Sequence, residues 1–236
     1  MASFAQSKGV EIRLDQCVEK ILVNNNRATG VKLSSGDTLE ASTIVSNLNP
    51  SLLFSSLIDD LELPEEFARR ITRYKNGSGT FRMNVALKGL PKFTALENQA
   101  RSTEGHLSAG IVIGPSVEYL DKSFSDAKKF GWSKQPIVEM LIPSVVDDSL
   151  APPGQHVASL FCQQFDYKID WDEHRETAAE TIIDQVESYA PGFRELILGM
   201  QILSPLDLER RFGLVNGDIF HGKLSLDQMF SARPVL

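Results

Sequence analysis

At 236 residues, with 42% hydrophobic and 23% charged side chains, the chain can bury one large core or two smaller ones and lies far from the composition of a disordered segment. A formal net charge of -7 and the lack of any long run of Lys or Arg argue against nucleic acid as a partner. No apolar run approaches the roughly 20 residues of a membrane-spanning helix, and Met1-Ala2-Ser3-Phe4 lacks the basic and apolar regions of a signal peptide. A soluble protein of the cytoplasm, or of the mitochondrial matrix in a eukaryote, is therefore expected, with its oligomeric state open. Cys17 and Cys162 form neither a CxxC pair nor a zinc spacing with histidine, and are read as buried thiols in a reducing compartment.

The first segment, Gly9 to Asn47, reads as short strands at Val10 to Leu14, Val18 to Val23, Gly30 to Leu33 and Thr43 to Ser46. Asn24-Asn25-Asn26 tolerates positive φ and Ser35-Gly36-Asp37 supplies a second tight turn, so a hairpin or small meander is expected, with Thr38 to Ser46 leading into a larger sheet. After Asn49-Pro50 the period changes, and Leu52, Leu53, Ser56 and Leu57 form a short helical face. Pro64, Glu65 and Glu66, with Arg69, Arg70 and Lys75 beyond them, put acid at the start and base at the end of a helix dipole. From Thr80 to Lys88 the period drops to two, with Phe81, Met83, Val85 and Leu87 on one face and Arg82, Asn84 and Lys88 on the other. Further strands are expected at Ala109 to Ile113, Ile137 to Ile142 and His156 to Cys162. No obligatory helix alternates with them, so the sheet should be largely antiparallel.

Ala178, Ala179, Ile182, Ile183, Val186 and Tyr189 stripe one face of a long helix from about Asp172 to Tyr189, ended by Pro191-Gly192. A short helix from Leu206 to Arg211 follows Pro205, then a turn from Gly213 to Gly217 and a last segment from Asp218 to Pro234. No internal repeat or low-complexity stretch is present. The ending Phe230-Ser231-Ala232-Arg233-Pro234-Val235-Leu236 has no solubilising terminus, and continuation in a longer protein is expected.

Two segments carry a family likeness. Gly9-Val10-Glu11-Ile12, Val18 with Ile21, Ala28-Thr29-Gly30-Val31 and Ile44-Val45-Ser46-Asn47 resemble, in order and spacing, the strand block that follows the first half of the flavin domain in phytoene desaturases and amine oxidases. The second is Gly217-Asp218-Ile219-Phe220-His221-Gly222, with Leu224-Ser225-Leu226-Asp227-Gln228-Met229 and Ala232-Arg233-Pro234. It resembles the phytoene dehydrogenase-related branch of FAD-dependent oxidoreductases, just before that branch's second Gly-rich flavin-binding stretch. The resemblance implies FAD as the cofactor of the complete protein. It also implies that the backbone at Val18 runs past the adenine, and that Ser46-Asn47 leads from the nucleotide domain into a substrate domain. Arg233 could orient a pyrophosphate or carboxylate through its planar fork.

Two parts of that family's pattern are not found in these residues. The strand, GxGxxG turn and helix that bring backbone N–H groups to a pyrophosphate are missing, and Gly77-Ser78-Gly79-Thr80-Phe81-Arg82 lacks the third glycine and runs into a strand, which makes it a loop. The family's stretch that wraps the ribityl chain and isoalloxazine would begin shortly after Leu236. With only the middle of the cofactor site, this chain by itself is expected neither to hold flavin nor to turn over substrate.

No catalytic residue follows from the pattern. His221 is the candidate acid, base or hydrogen-bond donor, against the plainer reading of a packed or surface histidine between Phe220 and Gly222. Asp207, Glu209 and Asp227 offer carboxylates, but nothing puts two of them on one surface as an acid/base pair would require. Hydride transfer to a flavin can proceed by positioning, so no catalytic side chain is demanded. His106, His156 and His174 have no metal-ligand spacing, and neither GxSxG nor HExxH occurs. The stripe of Phe81, Met83, Val85 and Leu87 is read as core, with the lining of a hydrophobic tunnel as the alternative.

The expected fold is α/β (α+β). Residues 1–50 are partial FAD-binding strands, 51–204 a substrate domain with a mixed, largely antiparallel sheet covered by helices, and 205–236 a return segment. The expected function is flavin-dependent dehydrogenation or oxidation of a hydrophobic small molecule. An amine oxidase-like flavoenzyme and a non-catalytic binding or regulatory module that kept the fold are the competing readings.

Overall fold

A computed structural model describes residues 1–59, 62–96 and 104–233. The chain forms two compact units, Met1–Lys75 with Leu224–Leu236, and Asn76–Lys223.

The first unit begins with a short helix, α1 (Ala2–Ser7), and a three-stranded antiparallel meander of β1 (Val18–Asn24), β2 (Arg27–Leu33) and β3 (Thr38–Glu40). Asn25 and Asn26 take φ of 50° and 58°, the double left-handed turn that suits the right-handed twist of a hairpin. Helix α2 (Pro50–Ser56) follows, with the Asn49 side chain accepting from the Ser51 N–H at 2.8 Å. The Ile21 N–H on the outer edge of β1 donates to the Leu57 carbonyl at 2.7 Å, which ties the meander to the end of α2. In α3 (Glu65–Thr72), Phe67 meets Phe54 of α2 edge-on at 4.8 Å.

Three expectations fail here. Val10 to Leu14 and Thr43 to Ser46 form no strand, although the first alternates in polarity, because no neighbouring strand among the described residues takes their backbone hydrogen bonds. Thr38 to Ser46 does not enter a larger sheet, since β3 pairs with β2 alone. Cys17 is exposed, whereas Cys162 is buried as expected.

The last segment returns to this unit through Gln228, whose side chain accepts from the Lys75 N–H and donates to the Lys75 carbonyl at 3.0 Å. Lys75 also pairs with Asp227, and this ammonium, helped by the Ser225 hydroxyl, holds the Asp227 carboxyl below its ordinary 3.8. A depressed carboxyl favours the folded state above that ordinary value and ceases to do so as pH falls through the folded one.

The second unit contains strands β4 (Thr80–Leu87), β5 (Ile111–Ile113), β6 (Trp132–Leu141), β7 (His156–Phe165) and β8 (Ile197–Leu203). Its helices are α4 (Val117–Phe130), α5 (Trp171–Tyr189), α6 (Phe193–Leu196) and α7 (Pro205–Phe212). The strands lie in the order β5-β6-β7-β4-β8, and every neighbouring pair is antiparallel. Phe81, Met83, Val85 and Leu87 of β4 pack with Val138, Met140, Ala158, Leu160 and Cys162 into one core with Ala178, Ala179, Ile182, Ile183 and Val186 of α5. Trp171 closes its end, 5.6 Å from the Phe81 ring and 6.1 Å from that of Phe165. The β4 stripe is thus core and lines no tunnel.

Helices α1, α4 and α6 and strand β8 escaped the sequence reading. Strand β8 has no clean alternation and carries Gly199, as a short edge strand exposed on both faces can. Helix α4 buries the small residues Ser123 and Ala127 and exposes Val117, Leu120 and Phe124, so its apolar stripe points away from its buried face. Its ends are nonetheless well marked. Ser116 accepts from the Tyr119 N–H at 3.1 Å, and Gly131 closes the helix at φ 91°.

The turn after α7 tests how tightly the return segment is held. A Cβ on Gly217, at φ +64°, would meet the Pro205 carbonyl oxygen at 2.3 Å, whereas one on Gly213, at φ +67°, would meet nothing within 4 Å. Gly213→Ala is expected to cost about 1–2 kcal/mol from the left-handed conformation alone, and Gly217→Ala about 3 kcal/mol or more, because backbone must also move. Urea denaturation of both variants measures the difference, and equal losses would contradict the clash. In a carboxyl NMR titration, Lys75→Met is expected to bring Asp227 back up towards 3.8.

Candidate functional site

With one face of the five-stranded sheet closed by α5, the chemistry available to a ligand lies on the other. Strand register sets that face row by row. Val112, Glu139, Phe161, Arg82 and Leu203 are successive cross-strand partners, and Leu141, Ser159, Asn84 and Gln201 form the next row. Val112 and Leu141 are exposed at 63% and 54%, so the floor is apolar as well as open. A cavity of about 200 Å³ sits there, lined by Arg82, Val112, Glu139, Leu141, Ser159 and Phe161 among others.

Arg82 is half-buried within it. Its Nη2 donates to the Ser159 hydroxyl at 2.9 Å, and its guanidinium lies 5.7 Å from the centre of the Phe161 ring. One row away, Asn84 donates to the Gln201 side-chain carbonyl at 3.1 Å. Phe220 meets Phe161 edge-on at 6.3 Å, which brings the return segment to the rim of this face.

That segment is anchored by a buried acid. Asp218 is 0% exposed, and its carboxylate accepts from the Gly77 N–H at 2.8 Å and the Phe220 N–H at 2.9 Å. Such charge-assisted bonds offset the cost of burying the group. They also decide what the Gly77–Gly79 loop can do. The Gly77 amide is committed to Asp218, the Gly79 carbonyl accepts from the Phe165 N–H at 2.8 Å, and the chain passes directly into β4. The loop is therefore no phosphate cradle, and the described residues offer no Gly-rich turn opening onto a helix N-terminus.

The four residues singled out from the sequence are divided between the units. His221 is half-buried at a tight turn with φ of 56°, directly after Phe220, with its N–H donating to the Asp218 carbonyl at 3.4 Å. Val18 opens β1 opposite Leu33 and is half-buried, Asn47 is exposed ahead of α2, and Arg233 is exposed with Nε donating to the Gln228 carbonyl at 3.3 Å. These three share the first unit, but among the described residues no hydrogen bond or ion pair joins any two of them.

The three candidate carboxylates have structural partners. Asp207 completes a capping box with Ser204, Glu209 accepts from the Asn216 N–H at 2.9 Å, and Asp227 pairs with Lys75. The His174 ring lies tilted beside Trp132 at 5.5 Å, His106 meets Phe93 edge-on at 6.4 Å, and the Ser144 hydroxyl lies 3.3 Å from His156 Nδ1. Among the described residues no cluster of His, Cys, Asp or Glu is placed to hold a metal ion, and no helix is long and apolar enough to cross a membrane. Burial pushes the Cys162 thiol well above its ordinary range, so it is a core residue and not a nucleophile. The sequence marked Arg82 only as a member of a polar face. Asp218 was marked only as part of the family-like segment Gly217 to Gly222, and nothing local distinguished Ser159 or Phe161.

Known proteins resemble this chain along most of its length. Phytoene desaturase (lycopene-forming) of Pseudescherichia vulneris is 25% identical over 235 residues, covering 97% of this chain and 42% of that protein. A nearer relative is the pyridine nucleotide-disulfide oxidoreductase domain-containing protein 2 of Mus musculus, 39% identical over 243 residues that take in 100% of this chain and 42% of that protein. The chain thus spans 42% of the length of both relatives. The fold matches that of an oxidoreductase from Methanosarcina mazei with a TM-score of 0.58 at 16% identity, over 86% of this chain and 40% of that one. No family model matches the chain.

The buried acid gives the test of this geometry. Asp218→Ala is expected to lower stability by about 2–4 kcal/mol, because two amides lose a charged acceptor and one side chain leaves a cavity. Asp218→Asn, which keeps one oxygen, is expected to lose about half as much. Urea midpoints report the losses, and limited proteolysis within residues 217–222 reports release of the segment. A neutral Asp218→Ala would show that the carboxylate does not anchor it.

Proposed function

We propose that the complete protein is a flavin-dependent oxidoreductase of the dehydrogenase or desaturase kind, using FAD and acting on a hydrophobic small molecule. The first unit contributes to the flavin-binding domain, and the second presents the open face of its sheet to the substrate. Similarity along the whole chain to a phytoene desaturase and to a pyridine nucleotide-disulfide oxidoreductase domain-containing protein carries this reading. The exposed apolar side chains of the open face, held on rigid strands, support it. In such enzymes the cofactor supplies the redox chemistry, and the protein supplies positioning and the exclusion of water.

On this reading Val18, Asn47 and Arg233 belong to the cofactor side of the protein, and His221 lies on the segment that reaches the rim of the substrate face. Since these 236 residues contain no GxGxxG turn and the Gly77 amide is already committed, we infer that they do not retain flavin alone.

Visible absorbance of purified protein tests both statements. The complete protein is expected to carry a stoichiometric flavin chromophore, and the 236-residue chain to be colourless and inactive with added FAD. A folded complete protein without flavin would sink the proposal and favour a binding or regulatory module. Release of ammonia and peroxide from amines would favour an amine oxidase-like enzyme instead.

A further inference from the structure

On the open face of the sheet, beside the exposed Val112 and Leu141, a cation lies half-buried without a counter-ion. Among the described residues Arg82 makes no ion pair, and its one side-chain hydrogen bond goes to the Ser159 hydroxyl at 2.9 Å. The Phe161 ring lies 5.7 Å from the guanidinium. A guanidinium has five N–H donors in a planar fork, so most of its capacity here is uncommitted. Partial burial of a charge costs free energy unless an acceptor meets it.

Resting on the reading of this face as the substrate face, we propose that it takes a molecule with an apolar chain ending in a carboxylate, the acid group being held by Arg82. A single fork matches a carboxylate with two parallel hydrogen bonds, whereas a phosphate would call for further cations or a helix N-terminus. None lines this cavity, whose only other charged residue is Glu139. Its volume of about 200 Å³ is below that of a site enclosing a whole drug-sized ligand. It therefore accepts the head and first carbons, and the rest of the chain lies along the exposed Leu141 and Val112.

Glu139 sets the direction. It sits two strands from Arg82 on the same cross-strand row, with Phe161 between them, so the two backbones are about 10 Å apart at the usual strand spacing. Exposed to solvent, it leaves Arg82 unneutralised, and its negative charge disfavours an acid head at the Val112 end.

The test uses the 236-residue chain with a fluorescent polyene fatty acid, cis-parinaric acid, and its methyl ester, followed by fluorescence titration. The acid is expected to bind about tenfold more tightly than the ester, the scale of one charge-assisted bidentate contact. Arg82→Gln is expected to abolish that preference, with the acid bound no more tightly than the ester, and Arg82→Lys to keep part of it. Phe161→Ala should weaken both probes equally. Far-UV circular dichroism and the urea midpoint of each variant separate loss of contact from loss of fold. Equal binding of acid and ester, or a preference that survives in folded Arg82→Gln, would overturn the role of Arg82 while leaving an apolar substrate face. Binding of neither probe would overturn both.

Discussion

Helix α5 seals one face of the five-stranded sheet, and much of what this chain offers chemically follows from which face that is. Helix α5 lays Ala178, Ile182, Ile183 and Val186 against the odd-numbered residues of β4 and their neighbours on β6 and β7, and buries them completely. The alternate residues must then point the other way, because successive side chains of a strand face opposite sides. Arg82, Ser159, Phe161, Glu139 and Val112 are brought onto one surface by that rule and by antiparallel register. Burial of apolar surface at roughly 25 cal/mol per Å² fixes the sealed face, and the open face inherits its composition from what is left.

The return segment limits this open face by a different force. Asp218 has no apolar surface to gain from burial, so its position depends on two amide donors, one of them from the loop that leads into β4. The same carboxylate that fixes Phe220 beside Phe161 also takes the Gly77 amide of the glycine loop, which is then not free to meet an anion. A polar contact thus shapes the rim and removes a competing site at once. In the first unit Gln228 plays a similar part, reproducing with its side chain the paired hydrogen bonds of a strand partner for Lys75.

Elements whose residues carry their own signal were legible in the sequence. The Asn25-Asn26 turn, the acid-to-base gradient of α3, the alternation of β4 and the stripe of α5 each depend on contacts a few residues apart. Where the reading failed, a local pattern had no tertiary partner or a tertiary partner left no local pattern. Val10, Ile12 and Leu14 alternate but find no neighbouring strand, while β8 pairs with β4 without alternating. In α4 the apolar stripe lies on the exposed side, and only its caps announce it.

The sequence by itself determined the type of most elements, the antiparallel character of the sheet and the likeness to phytoene dehydrogenase-related oxidoreductases, because periodicity, turn chemistry and motif spacing are short-range properties written residue by residue. Only the tertiary structure decided that Arg82 meets Ser159 and Phe161, that Asp218 is buried against Gly77, and that Phe220 meets Phe161 at the rim of the open face. Those pairs are distant along the chain. Their meeting depends on strand order and register, which are set by the burial of the whole sheet and not by any stretch of residues read alone.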